Sequence, residues 1–160
     1  MHLRSIWNKV VTVGPIGVFP DVEMHYMIRI CQQCEDPACA KPCMTDAIYR
    51  RDDGLVAIDP DKCTSCEACI PACPYGVLFF NPDTGLPEKC HMCAHRIEQG
   101  LKPACVSPCV GQAIIFGDAN DPQSEFSRTM NAAGDGAFVL EPESETRPAV
   151  RYIRAQNQTV

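Results

Sequence analysis

Residues 63–74 read Cys63-Thr64-Ser65-Cys66-Glu67-Ala68-Cys69-Ile70-Pro71-Ala72-Cys73-Pro74. Four cysteines lie within eleven residues, at the spacing C-x2-C-x2-C-x3-C, and a proline follows the last. Two more quartets flank this one: Cys31, Cys34, Cys39 and Cys43 before it, and Cys90, Cys93, Cys105 and Cys109 after it. Each opens with C-x2-C and closes with C-x3-C. Together they account for all twelve cysteines of the 160 residues. That is a content expected only where sulfur does structural or metal chemistry. A framework of six disulfides would suit a secreted chain, but nothing in the sequence marks secretion.

A C-x2-C pair on a tight loop aims two thiolates at one centre, and zinc and iron–sulfur sites both use it. The third and fourth sulfurs separate them. A zinc ribbon needs two knuckles and has no place for a further cysteine three residues on. The run at 63–74 is instead the bacterial ferredoxin string, in which three cysteines wrap one cubane and the fourth reaches a second. Pro74 restricts the backbone just after the last ligand and removes an N–H.

The quartets belong to a repeat visible without the cysteines. Four residues after each closing cysteine comes a small or branched apolar residue, followed by Ile or Leu: Ala47-Ile48, Val77-Leu78 and Ala113-Ile114. The first two repeats then turn, through Arg51-Asp52-Asp53-Gly54-Leu55 and Asn81-Pro82-Asp83-Thr84-Gly85-Leu86, and return to Lys62-Cys63 and Lys89-Cys90. Asp-Gly between short β-prone runs is a hairpin signal. The unit predicted is a short helix carrying C-x3-C, a strand, a turn, a return strand and the next C-x2-C loop. The expected class is α+β: a ferredoxin-like 2[4Fe-4S] core of short hairpins and helices, with a third cysteine motif and an irregular C-terminal tail. In the ferredoxin arrangement Cys31, Cys34 and Cys39 hold one cluster with Cys73 crossing over. Cys63, Cys66 and Cys69 hold the second, with Cys43 crossing back. So small a chain buries little apolar surface, so the cubanes act as core and the apoprotein is expected to be largely unfolded.

Outside 31–116 the organisation is plainer. Residues 1–30 form an N-terminal packing segment, in which Trp7, Val10, Val11, Val13, Ile16, Val18 and Phe19 make a β-prone run broken by Gly14-Pro15. It either covers the third cluster or is a partner-docking patch. Met24, Tyr26, Ile28 and Ile30 alternate as a half-buried strand does, and are assigned to the core. In residues 117–160, Asp121-Pro122 marks a helix start with the helix running to Met130. Ala137–Leu140 reads as a last strand, and the polar tail 141–160 as partner-bound or loosely ordered.

Net charge is −6, which argues against nucleic acid as a partner. No apolar run reaches membrane-span length, and the first twenty residues carry no signal core or twin-arginine pair. The chain reads as soluble and without an export address of its own. There is no phosphate cradle, nucleophile motif or acid–base pair, so no catalytic residue is assigned. His91 and His95 flank Cys93, where imidazole can replace thiolate in some clusters, though surface histidines read as simply. Lys41, Lys62, Lys89 and Lys102 lie near ligands and either tune potentials or are ordinary solvated lysines, the latter for at least half of them.

The whole pattern resembles the iron–sulfur electron-transfer subunit of the dimethyl sulfoxide reductase, polysulfide reductase and formate dehydrogenase group of molybdenum and tungsten enzymes. The resemblance is carried by Cys31–Cys39, Asp59–Cys63, Cys73-Pro74-Tyr75-Gly76, Lys89–Cys93 and Pro103–Cys109. It extends to Ile6-Trp7-Asn8 and Pro20-Asp21 upstream, and to Gly117-Asp118, Asn120–Pro122 and Arg147–Tyr152 downstream. It implies a non-catalytic wire of [4Fe-4S] clusters between a molybdenum or tungsten catalytic subunit and a second partner, often a membrane quinone-reactive subunit. Members typically carry a fourth, upstream cysteine motif, and residues 1–30 here contain no Cys. Either Cys109 closes a third local cluster with Cys90, Cys93 and Cys105, or an N-terminal portion is missing. The rival readings are the same wire in a hydrogenase or formate–hydrogen complex, a free-standing ferredoxin, and a structural zinc module. Cytoplasm is the default compartment; the alternative is the periplasm or outer membrane face, reached by co-export with a signal-bearing partner.

Overall fold

A computed structural model describes residues 7–154. Ile6 and the last six residues of the tail, on which parts of the sequence reading fall, lie outside the described residues. Among the described residues the strands pair as four separate antiparallel ribbons. The first joins β1 (Lys9–Val18) to β2 (Asp21–Arg29). Two short hairpins follow, β3 (Ile48–Arg50) with β4 (Val56–Ile58) and β5 (Phe79–Asn81) with β6 (Leu86–Glu88). These are the two hairpins expected from the repeat, and Gly54 and Gly85 sit in their turns at φ 85° and 69°, a region that costs glycine least. The last ribbon pairs β7 (Ala137–Phe138) with β8 (Tyr152–Ile153). Helices are short: α1 (Cys69–Ala72), α2 (Ala94–Ile97) and α3 (Glu125–Ala133). The mixed, ferredoxin-like α+β class holds.

Several local expectations give way. The β1–β2 ribbon runs past Gly14-Pro15, absorbing the proline in a register irregularity between Val13 and Ile16. Met24 and Tyr26 are exposed rather than core, at 53% and 72%, so their side of the ribbon is open to solvent. The helix expected from Asp121-Pro122 begins at Glu125 instead. Asp121 closes a side-chain turn by accepting from the Gln123 N–H, and Ser124 caps the helix by accepting from the Ser127 N–H at 3.0 Å. Of the three C-x3-C segments, only the second is helical; the first and third are successive turns. Ala113 is exposed and no hairpin follows the third quartet.

The tail from 141 to 154 is not loose. Thr146 and Pro148 are buried, and this stretch straps the first cysteine loop. The Glu35 and Asp36 N–H groups donate to the Arg147 and Thr146 carbonyls at 3.0 and 3.1 Å, and Ala149 N–H donates to the Gln32 carbonyl at 2.9 Å. Tyr152 adds a hydroxyl donated to the Ile28 carbonyl at 2.8 Å.

Five of the ten buried apolar side chains among the described residues are cysteines: Cys31, Cys34, Cys39, Cys69 and Cys90. The central cluster sets Cys39 and Cys69 among Ile48, Val56 and Leu78. Three aliphatic side chains at ~1.5–3 kcal/mol each are a slight core for a chain of this length. What the cysteines bind therefore decides whether the fold stands. Stripping iron with a chelator under reducing conditions should abolish near-ultraviolet circular dichroism and amide-exchange protection across 31–116. Retention of both would show that the polypeptide packs without its clusters.

Candidate metal centres

The three C-x2-C loops share one backbone device. The residue just before the second cysteine is left-handed in each: Gln33 at φ 48°, Ser65 at 57° and Met92 at 53°. Non-glycine residues seldom adopt this conformation, and they do so where surrounding structure compels it. The C-x3-C segments repeat a second device. Residue three after each closing cysteine is again left-handed, Asp46 at 51°, Gly76 at 59° and Gln112 at 49°. Its N–H bonds back to the carbonyl of Cys43, Cys73 or Cys109, at 3.3, 3.1 and 3.0 Å. The closing cysteines themselves donate to the carbonyls of Ala40, Ile70 and Val106 at 3.0, 3.4 and 3.1 Å. The third quartet thus follows the first two turn for turn, although it lacks their hairpin.

Electrostatics show which thiols are neighbours. Burial pushes Cys39 up to about 12, with nearby Cys31, Cys73 and Cys34 adding to the rise and Lys89 opposing it. Cys34 is raised by burial and by Cys31 and Cys73, against hydrogen bonds from Thr146 and Tyr75. Cys69 rises to about 11 through burial, then through Cys63, Cys66 and Cys43. Cys73 acts on Cys34 and Cys39 of the first quartet, and Cys43 on Cys69 of the second. In the third quartet Cys90 is pushed up to about 11 by burial, and Cys31 and Cys105 add to it. Cys43 runs the other way: burial raises it, but hydrogen bonds from Ile48, Thr45 and Ala47 together outweigh this and lower it.

Two further thiols receive backbone donors, Cys93 from Ala104 N–H at 3.5 Å and Cys109 from Ala113 N–H at 3.3 Å. N–H groups aimed at sulfur stabilise thiolate and raise the potential of a bound cluster. All twelve cysteines are free thiols. Among the described residues no three His, Cys, Asp or Glu side chains converge as around a single ion. A cubane offers each thiolate its own corner iron, so its ligands stand wider apart than those of one ion. Buried, mutually repelling thiols fit such a group, since binding iron removes their protons and neutralises their charge.

The residues around these loops are less legible in sequence. Gln33 is buried and bridges two regions, its Oε1 accepting from Val56 N–H at 2.7 Å and its Nε2 donating to the Cys90 carbonyl at 2.9 Å. Tyr75 is buried with its hydroxyl 2.5 Å from that of Thr146. Their only sequence signal is position, within Cys-Gln-Gln-Cys and just after Cys73-Pro74.

Of the four lysines singled out, Lys41, Lys62 and Lys102 are exposed partners of Asp36, Asp59 and Glu125. Lys89 alone is buried. His91 accepts from Ala94 N–H through Nδ1 and meets the Trp7 ring edge-on at 4.6 Å. Burial lowers its pKa, with His95 and Lys89 contributing in the same direction. Trp7 thus reaches the third motif, as one reading of the N-terminal segment required. Beyond it Val10, Ile16, Val18 and Phe19 are exposed, as the other reading required.

Residues 22–119 match the 4Fe-4S dicluster domain family, and the chain belongs to it. Its clusters are therefore [4Fe-4S], and the zinc reading falls. Among relatives, a tetrathionate reductase subunit from Salmonella typhimurium is 42% identical over 78% of this chain and 50% of its own length. A sulfite dehydrogenase subunit from Allochromatium vinosum is 38% identical over 93% of this chain and 64% of its own. The arsenate respiratory reductase iron–sulfur subunit of Shewanella is 32% identical over 87% of this chain and 79% of its own. The resemblance to iron–sulfur subunits of this reductase group holds, and the chain spans about half the length of the first of these relatives.

Replacing Gln33 by Leu strands the buried Val56 N–H, worth ~1–3 kcal/mol when unpaired, and leaves the Cys90 carbonyl with only the 3.4 Å bond from Lys89. The expected result is a lower thermal midpoint and faster iron loss to a chelator. An unchanged midpoint would show that the bridge is idle.

Proposed function

We propose that this chain is a non-catalytic electron-transfer subunit, carrying electrons through three [4Fe-4S] clusters. The supporting observation is the backbone device shared by all three quartets, in a chain of the dicluster family. Cys31, Cys34, Cys39 and Cys73 hold the first cluster, Cys63, Cys66, Cys69 and Cys43 the second, and Cys90, Cys93, Cys105 and Cys109 the third. Bound cubanes supply one-electron carriers whose potentials, across proteins, span roughly −700 to +450 mV. The polypeptide supplies spacing, dryness and tuning. Cys31, Cys34 and Cys39 are buried in the first set, Cys69 in the second and Cys90 in the third, whereas Cys66 leaves an edge of the second open to solvent.

The partner is a molybdenum or tungsten catalytic subunit, with a membrane quinone-reactive subunit as the further redox partner, and the compartment is the cytoplasm. Relatives are subunits of reductases and a dehydrogenase by name, which supports a catalytic partner. The working division is a docking segment over 1–30, the cluster domain over 31–116, and 117–160 as strap and partner contact. Among the described residues no helix is long and apolar enough to cross a membrane.

The ligand sets are tested by exchanging the crossing cysteines. Electron paramagnetic resonance of the reduced Cys73→Ser protein should show the first centre altered and the second intact, and Cys43→Ser the reverse. The opposite pattern, or a colourless protein, would contradict the assignment.

A further inference from the structure

Lys89 is the one lysine whose surroundings solvent does not explain. It is 4% exposed, and its Nζ donates to the Val56 carbonyl and, at 3.4 Å, to the Cys90 carbonyl. Both acceptors are neutral. Among the described residues no carboxylate lies within ion-pairing distance of it, whereas Lys41, Lys62 and Lys102 each have one at 3.7, 3.9 and 2.6 Å. The carboxylate next to it in sequence, Glu88, is engaged elsewhere, accepting from Asn81 and Thr84 at 2.8 and 3.0 Å. A buried ammonium without a counter-ion is strongly disfavoured, so an anion belongs within its reach.

The anions on offer are the cysteines. The Val56 and Cys90 carbonyls that accept from the Lys89 ammonium belong to the two residues that Gln33, between Cys31 and Cys34, bridges through its side-chain amide. The loop of the first quartet and Cys90 of the third thus meet at Lys89. The positive charge therefore sits where two thiolate-rich sets come together.

We propose that Lys89 is a positioning and tuning residue, the shared counter-charge of the first and third centres, which raises the reduction potential of both relative to the second. A fixed positive charge favours the more negative, reduced state of each neighbour, and net charge is among the main determinants of cluster potential. It also lessens the repulsion between two reduced centres, so that an electron on one deters arrival at the other less. This deepens the electron-transfer reading and rests on it.

The test uses the iron-loaded full chain as Lys89→Met and Lys89→Arg, with iron counted first and midpoint potentials then taken by redox titration followed by electron paramagnetic resonance. The second centre is identified by its alteration in Cys43→Ser. In Lys89→Met the reduction equilibria of the first and third centres should fall about tenfold, about 59 mV for a one-electron couple. The second centre should hold, and Lys89→Arg should stay near the parent. If the methionine variant cannot hold iron, Lys89→Gln replaces it, because its amide keeps a donor for the carbonyls without the charge. Iron held by the arginine variant and lost from both neutral ones also supports the proposal. Full iron with unmoved potentials, an equal shift of all three centres, or loss of iron from all three variants would overturn it. A parent chain that binds no iron would instead sink the electron-transfer reading.

Discussion

Cysteines built into a slight core, five of them buried, set the terms for everything else in this fold. Burial and mutual repulsion drive Cys39 to about 12 and Cys69 and Cys90 to about 11. Left as thiols these side chains are weakly bonded fillers; as thiolates they repel. Iron resolves both conditions by replacing protons with metal bonds. The aliphatic core of Ile48, Val56 and Leu78 lies around this sulfur and does not replace it. The two hairpins, the strap formed by 141–154 and the Gln33 bridge all converge on the same loops. Their common effect is to hold cysteine-bearing turns in conformations an isolated chain would avoid.

Those turns show how a repeat can outlast its surroundings. The first two quartets are followed by hairpins, while the third is followed by exposed, irregular chain. Yet Met92 and Gln112 take the same left-handed conformation as their counterparts, and the Cys109 turn bonds as the Cys43 and Cys73 turns do. The geometry follows the cysteines rather than the strands between them. The third quartet therefore keeps the turns of the other two without their hairpins.

The cysteine spacing and the Asp-Gly and Thr-Gly turns made the central domain legible, because ligand geometry and hairpin turns are local constraints. What lay beyond reach depended on distant partners. Nothing local marks Thr146 as buried, since its burial depends on Tyr75, seventy-one residues away in sequence. Met24 and Tyr26 alternate like core residues, but only a second layer makes such a strand half-buried, and both are open to solvent. Lys41, Lys62, Lys89 and Lys102 looked equivalent beside their cysteines. Carboxylates at Asp36, Asp59 and Glu125 draw three of them out to solvent, and only packing singles out Lys89.

The central claim is that the third quartet is a cluster site equal to the other two, and iron with acid-labile sulfide per chain, on protein purified without oxygen, addresses it most directly. About 12 iron atoms per chain, with as much sulfide, is the result expected of three cubanes. About 8 would contradict the claim, leaving only the paired central clusters and showing that the Cys109 turn closes on nothing.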